Sequence, residues 1–253
     1  MAIDFSLNDK IALINGGSRG IGEAIAHEFA RRGATVVISS RRQSSLDKVV
    51  DAIQEEGGKA VAIACHAGRS QQIEALFEKI RDEFGRLDIL VNNAGTNPFF
   101  GPAHEIPEKA YDKTMEINLK GYFLMSQHAA RMMLAQKSGS IINVASVTGL
   151  SASPNQVTYS MTKAAVISMT QGMAKELGPA GVRVNAIAPG LIETKLASGL
   201  LTEESLYKSI INATPLRRHG QPDEIAGAAL YLASDASAFT TGHVMVCDGG
   251  MYT

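Results

Sequence analysis

The feature that most constrains this chain is an alternation repeated along its length. Short runs of apolar, β-branched or small residues are separated by longer amphipathic segments. The runs are Ile11 to Ile14, Thr35 to Ser39, Ala60 to Ala64, Ile89 to Val91, Ile141 to Ala145, Val182 to Ile187 and Val244 to Val246. None alternates polar with apolar residues, which is how strands buried on both faces of a parallel sheet read. The segments between them have helical spacing. Ile21, Ala24, Ile25 and Phe29 share one side of 20–32, and 44–56, 71–84 and 115–136 are similar in character. Val157 to Leu177 closes on Gly178-Pro179, a helix-stop signal. Such alternation builds βαβ units. The expected fold class is therefore α/β, a single Rossmann-type doubly wound parallel sheet flanked by helices on both faces.

At 253 residues the chain can bury a sizeable core without disulfides or metals. No linker or repeat divides it, so one dinucleotide-binding and catalytic domain over 1–253 is expected. The least regular stretch, Leu191 to Thr214, lies between a Pro-Gly turn and Pro215 and reads as a substrate lid. Lys and Arg total 24 against 25 Asp and Glu. That balance excludes a nucleic-acid partner and gives no drive toward an anionic membrane. No apolar run approaches the roughly 18 residues of a membrane helix. The opening MAIDFSLNDKIALI lacks the pattern of a secretory signal, and the closing Met-Tyr-Thr is no peroxisomal address. Cys65 and Cys247 form neither a disulfide framework nor a metal site, and no metal is expected. These readings lead to a soluble cytoplasmic enzyme.

The first apolar run leads into Asn15-Gly16-Gly17-Ser18-Arg19-Gly20-Ile21-Gly22. Glycines at 16, 20 and 22 permit a tight turn and a close approach to a pyrophosphate, with the positive end of the next helix facing it. A glycine-rich turn alone is weak; after a strand and before a helix it marks a dinucleotide site. The second run ends at Ser40, followed by Arg41 and Arg42, with no acid before Asp47. A carboxylate there would bond a ribose 2′-hydroxyl, whereas Ser40 and Arg41, flanked by Arg19, suit a 2′-phosphate. The expected cofactor is NADP(H).

Tyr159 and Lys163 lie four residues apart, on one face of a helix. Ser146 ends a buried strand at the carboxyl edge of the sheet, where open α/β sheets bind ligands. A free tyrosine titrates near 10, too high for acid–base work near neutrality. A cation about 4 Å away at an effective dielectric near 20 stabilises a phenolate by roughly 4 kcal/mol, or about three pKa units before desolvation. Lys163, helped by the charge of the oxidised nicotinamide, is thus expected to bring Tyr159 toward the working range. Ser146 would hold the substrate oxygen while Tyr159 gives or takes the proton and hydride passes to or from the nicotinamide.

These motifs together resemble the short-chain dehydrogenase/reductase family over essentially the whole chain. NGGSRGIG, LDILVNNAG (Leu87 to Gly95), MEINLKG, INVASVTG, YSMTK and NAIAPGLIET stand in family order. The resemblance implies a catalytic tetrad of Asn118, Ser146, Tyr159 and Lys163, with Asn118 holding a water bonded to Lys163. It implies that Asn92 and Ala94 line the adenosine ribose and that Lys163 bonds the nicotinamide ribose. Pro189, Gly190, the Ile192 backbone and Thr194 would meet the nicotinamide side. Asp88 is read as structural. Two positions depart from the pattern. Asn15 replaces the usual Thr and is expected still to bond the turn, while His66 stands where an adenine-contacting Asp is usual. Segments such as NNAGTNPFFG, CHAG and PLRRHGQPDEIAG resemble the NADPH-dependent carbonyl reductase branch. The family also implies a homotetramer, packed through the long helices and the last strand.

The substrate pocket is expected to comprise Ser146, Val147, Leu150, Ala152, Tyr159 and Leu196 of the lid, with Phe99 and Phe100, a lining that favours hydrophobic carbonyls. The leading expectation is an NADP(H)-dependent oxidoreductase acting on a small-molecule ketone or aldehyde and its alcohol. The rivals are a sugar or alcohol dehydrogenase, a reductase of carrier-bound 3-oxoacyl groups and a non-catalytic NADP(H) sensor. A carrier would want basic residues, and Lys195, Lys208, Arg217 and Arg218 are offset by Glu193, Glu203 and Glu204. An intact tetrad speaks against the sensor.

Overall fold

The computed structural model describes residues 4–252. Residues 1–3 and 253, on which the two targeting expectations partly rest, lie outside them. The seven expected runs form strands β1 (Ile11–Asn15), β2 (Thr35–Ser40), β3 (Lys59–Ala64), β4 (Ile89–Asn92), β5 (Gly139–Val144), β6 (Val182–Pro189) and β7 (Val244–Cys247). They make one sheet in the order β3-β2-β1-β4-β5-β6-β7, parallel throughout. The chain reverses its direction of travel between β1 and β4. That switch point opens a crevice at the carboxyl ends of the strands.

Successive strand residues point to opposite faces and build two cores. Ala12, Ile14, Val36, Ile38, Val91 and Ile142 pack on one side with α1 (Gly20–Arg31), α2 (Gln43–Glu55) and α9 (Pro222–Ala233). Leu13, Val37, Leu90, Ile141 and Val184 pack on the other with α3 (Ser70–Phe84), α5 (Gly121–Gln136) and α6 (Val157–Leu177). Asp88 is structural, as expected. It is buried, accepts from the Ile11 N–H at 2.9 Å, and is gripped by Arg86 at 2.6 Å.

Two segments differ from the sequence expectation. The helix expected over 115–136 is broken into α4 (Glu108–Met115), a π-helical turn at Glu116–Lys120, and α5. The turn coincides with Asn118, whose side chain is pulled across to Thr96, accepting from its N–H at 2.9 Å and donating to its C=O at 2.8 Å. One extra residue in a helical turn redirects side chains, and such turns gather at functional sites. The lid over 191–214 is also more regular than expected, with α7 (Ser198–Thr202) and α8 (Glu204–Ala213). α8 is capped by Glu203, which accepts from the Leu206 N–H at 2.6 Å and the Ser205 N–H at 3.3 Å. Glutamate is not among the usual start signals, so the spacing alone did not declare this helix.

Candidate active site

The crevice has a nucleotide end and a proton end. At the first, β1 leads into a glycine turn held by backbone. The Gly16 and Gly17 N–H groups donate to the Ser39 C=O at 2.7 and 3.2 Å, and Asn93 Nδ2 donates to the Gly16 C=O at 3.0 Å. Gly16 has φ +87°, and a Cβ there would sit 2.7 Å from the Ala94 backbone. No larger residue fits. Asn15 does not bond the turn as expected. Its Oδ1 takes a long 3.4 Å bond from Ser39, and its buried Nδ2 has no partner. Backbone donors have taken over that task.

α1 then starts behind an extended Arg19, and no side chain caps its first turn. Its first N–H groups are therefore open to an anion. Ser18 is half-buried, Arg19 exposed, and Ile21 and Gly22 turn inward. A Cβ on Gly20, at φ +58°, would lie 3.3 Å from the methyl of Thr194, so the glycine turn and the base of the lid face each other. An uncapped helix start beside a glycine turn fits the diphosphate of a dinucleotide.

Ser40, Arg41 and His66 share the next corner. The Ser40 C=O accepts from the Cys65 N–H at 2.9 Å, which brings His66 beside Arg41. His66 Nδ1 accepts from the Gly68 N–H at 3.0 Å, and burial lowers the pKa of the ring. Asn92 is placed differently from the expectation. Its side chain is fully buried and donates to Ser126 Oγ and Asn143 Oδ1, both at 2.9 Å. Ala94 sits against Gly16, as the motif requires.

At the proton end, the structure brings Asn118, Ser146, Tyr159 and Lys163 together. Ser146 follows β5 in extended backbone, accepts from the Thr148 N–H at 3.2 Å and hydrogen-bonds Tyr159. The turn at Val147–Gly149 sits on α6, where a Cβ at Gly149 would meet the Lys163 main chain at 2.6 Å. Lys163 is 3% exposed. Its Nζ donates to the Val144 C=O at 2.7 Å and lies 5.5 Å from the ring centre of Tyr159. Asn118 reaches α6 through Thr162 at 3.4 Å.

The electrostatics correct the expectation for Tyr159. Burial pushes its hydroxyl up to about 12, opposed only by the bond from Ser146. The same burial brings the Lys163 amine down to about 7. Desolvation therefore outweighs the attraction expected between phenolate and ammonium. One residue at this end escaped the sequence altogether. Tyr122 of α5 is completely buried, donates to the same Val144 C=O at 3.2 Å and accepts from Lys163 Nζ at 3.4 Å. In the sequence it is one more aromatic on a helix.

Around the opening, Val147 and Leu150 are half-buried and Leu196 is exposed. A recess beside Tyr159 is lined by Asn97, Phe99, Ile106, Gln156 and Val157. Asn97 donates to Gln156 at 3.2 Å. At the end of β6, the Gly190 N–H donates to the Cys247 C=O at 3.0 Å. Ile192 bridges to Gly220 through its neighbours' peptide groups, Glu193 N–H and Leu191 C=O, so its own face away from that bridge. Three of the four candidate basic residues, Lys208, Arg217 and Arg218, have partners. Lys208 pairs with Glu204 and Arg218 with Glu224, each at 2.5 Å, and Arg217 donates to the Asn212 C=O. Among the described residues no group of three or more His, Cys, Asp or Glu is placed to hold a metal ion, and no helix is long and apolar enough to cross a membrane.

A family model described as enoyl-(acyl carrier protein) reductase matches residues 16–252. Dehydrogenase/reductase SDR family member 4 of Homo sapiens is 37% identical over 244 residues, 96% of this chain and 88% of that protein. The chain belongs to the short-chain dehydrogenase/reductase family. A 3-oxoacyl-[acyl-carrier-protein] reductase of Synechocystis is 40% identical over 97% of this chain and 98% of its own length. A gluconate 5-dehydrogenase from Burkholderia cenocepacia, solved in complex with NADP and tartrate, superposes with a TM-score of 0.95 at 35% identity, covering 98% of this chain and 97% of that one. This short-chain dehydrogenase/reductase is thus an oxidoreductase with relatives named for several different substrates.

Proposed function

We propose that this oxidoreductase uses NADP(H) to interconvert a ketone or aldehyde and its alcohol, with Tyr159 as the proton carrier. The observation that carries the reading is the convergence at the end of β5, where Ser146 bonds Tyr159 and Val144 tethers the buried Lys163. Bound NADPH supplies the hydride. Ser146 and Tyr159 hold the carbonyl oxygen, and Tyr159 passes its phenolic proton to that oxygen as charge develops there. A hydroxyl held near 12 is fully protonated at neutral pH, the state a proton donor needs for reduction. Lys163 steadies the phenolate left behind, and the buried Asn118 fixes the π-turn behind it. Ser40 and Arg41 receive the 2′-phosphate, and the absence of an acid at the end of β2 favours NADP(H) over NAD(H). The NADP found with the Burkholderia neighbour supports that preference.

Leu191–Thr214 serves as the substrate lid in this reading. The exposed Phe123, Leu134, Met161 and Val246 on α5, α6 and β7 support the expected homotetramer. A second reading, reduction of a carrier-bound 3-oxoacyl group, is favoured by the Synechocystis relative. The pairing of Lys208 and Arg218 with glutamates weighs against it. A panel of carbonyls with NADPH oxidation as readout tests the proposal. An aromatic diketone should turn over faster than a sugar or a 3-oxoacyl carrier, with NADPH preferred to NADH. Faster reduction of the sugar or the carrier substrate, or a preference for NADH, contradicts it.

A further inference from the structure

Tyr122 is a buried, titratable group that the reaction above does not use. It lies at 0% exposure on α5, across the interior from α6. Burial and the nearby Tyr159 raise its pKa, so it stays a neutral phenol. A wholly buried phenol needs a partner for its hydroxyl, and leaving one unmade is costly. Here the hydroxyl has two. It donates to the Val144 C=O at 3.2 Å and accepts from Lys163 Nζ at 3.4 Å. The ring also lies 5.0 Å from the same nitrogen, within cation–π range.

The Lys163 amine thus has three neighbours that favour its charged form: the Val144 carbonyl, the Tyr122 oxygen and the Tyr122 ring face. The titratable groups facing it are Tyr122 from α5 and Tyr159 on its own helix. Desolvation is what opposes them, and no carboxylate contributes to its titration. We infer that Tyr122 is a positioning residue, one that holds Lys163 at the Val144 carbonyl and sustains its charge beside Tyr159. The inference rests on the proposed roles of Tyr159 and Lys163.

The sign follows from the geometry. Removing the Tyr122 hydroxyl takes an acceptor from the ammonium and leaves it less often charged. With less positive charge beside it, the Tyr159 phenolate is harder to form, and its apparent pKa rises. Alcohol oxidation needs that phenolate as base, so its lower pH limb moves to higher pH.

Tyr122→Phe keeps the ring and the packing, and Val144 retains Lys163 as a donor. Tyr122→Leu removes the ring face as well. The experiment is the pH profile of kcat/KM for oxidation of an alcohol that the wild type turns over, at saturating NADP+, with Tyr159→Phe measured alongside. The nicotinamide charge draws the Tyr159 midpoint below its cofactor-free position near 12. The acidic midpoint should rise by about one pH unit in Tyr122→Phe and further in Tyr122→Leu, since one unit corresponds to one tenfold change in equilibrium. The rate on the acidic limb then falls about tenfold while the alkaline plateau stays within about twofold. A merely structural role lowers limb and plateau together and leaves the midpoint in place. An unmoved midpoint in folded Tyr122→Phe, with Tyr159→Phe inactive, overturns the role of Tyr122 and leaves the proposed reaction standing. An active Tyr159→Phe overturns the reaction itself.

Discussion

The two ends of the crevice are built from different materials. At the nucleotide end the contacts are backbone and exposed side chains: the turn at Gly16 and Gly17, the uncapped start of α1, and Arg41 at the surface. At the proton end they are buried side chains that bond one another, with Lys163, Tyr122 and Ser146 gathered around the last residues of β5. The difference predicts a division of labour. Changes at the first end should alter which cofactor binds and how tightly. Changes at the second should alter rate and its pH dependence.

The largest expected effect lies at the proton end. Lys163→Met should lower turnover by about a thousandfold, in the range general acid–base partners supply. It should also reveal the cost of the buried amine. The folded pKa, about 7, lies below a lysine's ordinary 10.5. Below about pH 7 the folded state must carry a buried ammonium that the unfolded chain carries in water, and the penalty is full; above 10.5 both states are neutral and it is gone. Without cofactor, the melting temperature of Lys163→Met should therefore exceed that of the wild type more at about pH 6 than at about pH 9. An advantage that grows with pH would contradict the assignment.

At the nucleotide end the effect is smaller and of another kind. Arg41→Ala removes one charge-assisted contact to a phosphate and should lower the ratio of NADPH to NADH efficiencies about tenfold. The NADPH Michaelis constant should rise and NADH kinetics stay nearly unchanged. Equal losses with both cofactors would mean that Arg41 does not read the 2′-phosphate. Smallest of all is Asn15→Thr, which deletes the unpartnered Nδ2 beneath the glycine turn. Relief of one buried donor, about 1 kcal/mol, should raise the melting temperature by about 2–4 °C without changing the reaction.

The same contrast explains what the sequence disclosed. Strands β1 to β7 were legible because burial on both faces leaves a continuous apolar run, and the glycine turn because backbone geometry restricts residue type. Tyr159, Lys163 and Ser146 were legible through the spacing of four and the position at a strand end, reinforced by the family resemblance. Contacts set across the interior were not. Tyr122 meets Lys163 across 41 residues of sequence, and nothing in its neighbours marks it as more than core. The resemblance implied that Asn92 lines the adenosine ribose, yet its amide reaches inward to Ser126 and Asn143. The π-turn at Asn118 arises from a tertiary bond to Thr96, and α8 starts on a glutamate cap; periodicity registers neither. The balance of charges at the proton end was also misjudged. Spacing gives the distance between phenol and amine but not the water they have lost, and here that loss decides both pKa values.

The central claim is that Tyr159 carries the proton while the nucleotide end binds the cofactor independently. Tyr159→Phe tests it with two readings on one sample: NADPH affinity by titration, and NADPH oxidation with a ketone the wild type reduces. The account predicts affinity within about threefold of wild type and turnover reduced by about a thousandfold or more. Turnover near the wild-type rate with that affinity intact would contradict it.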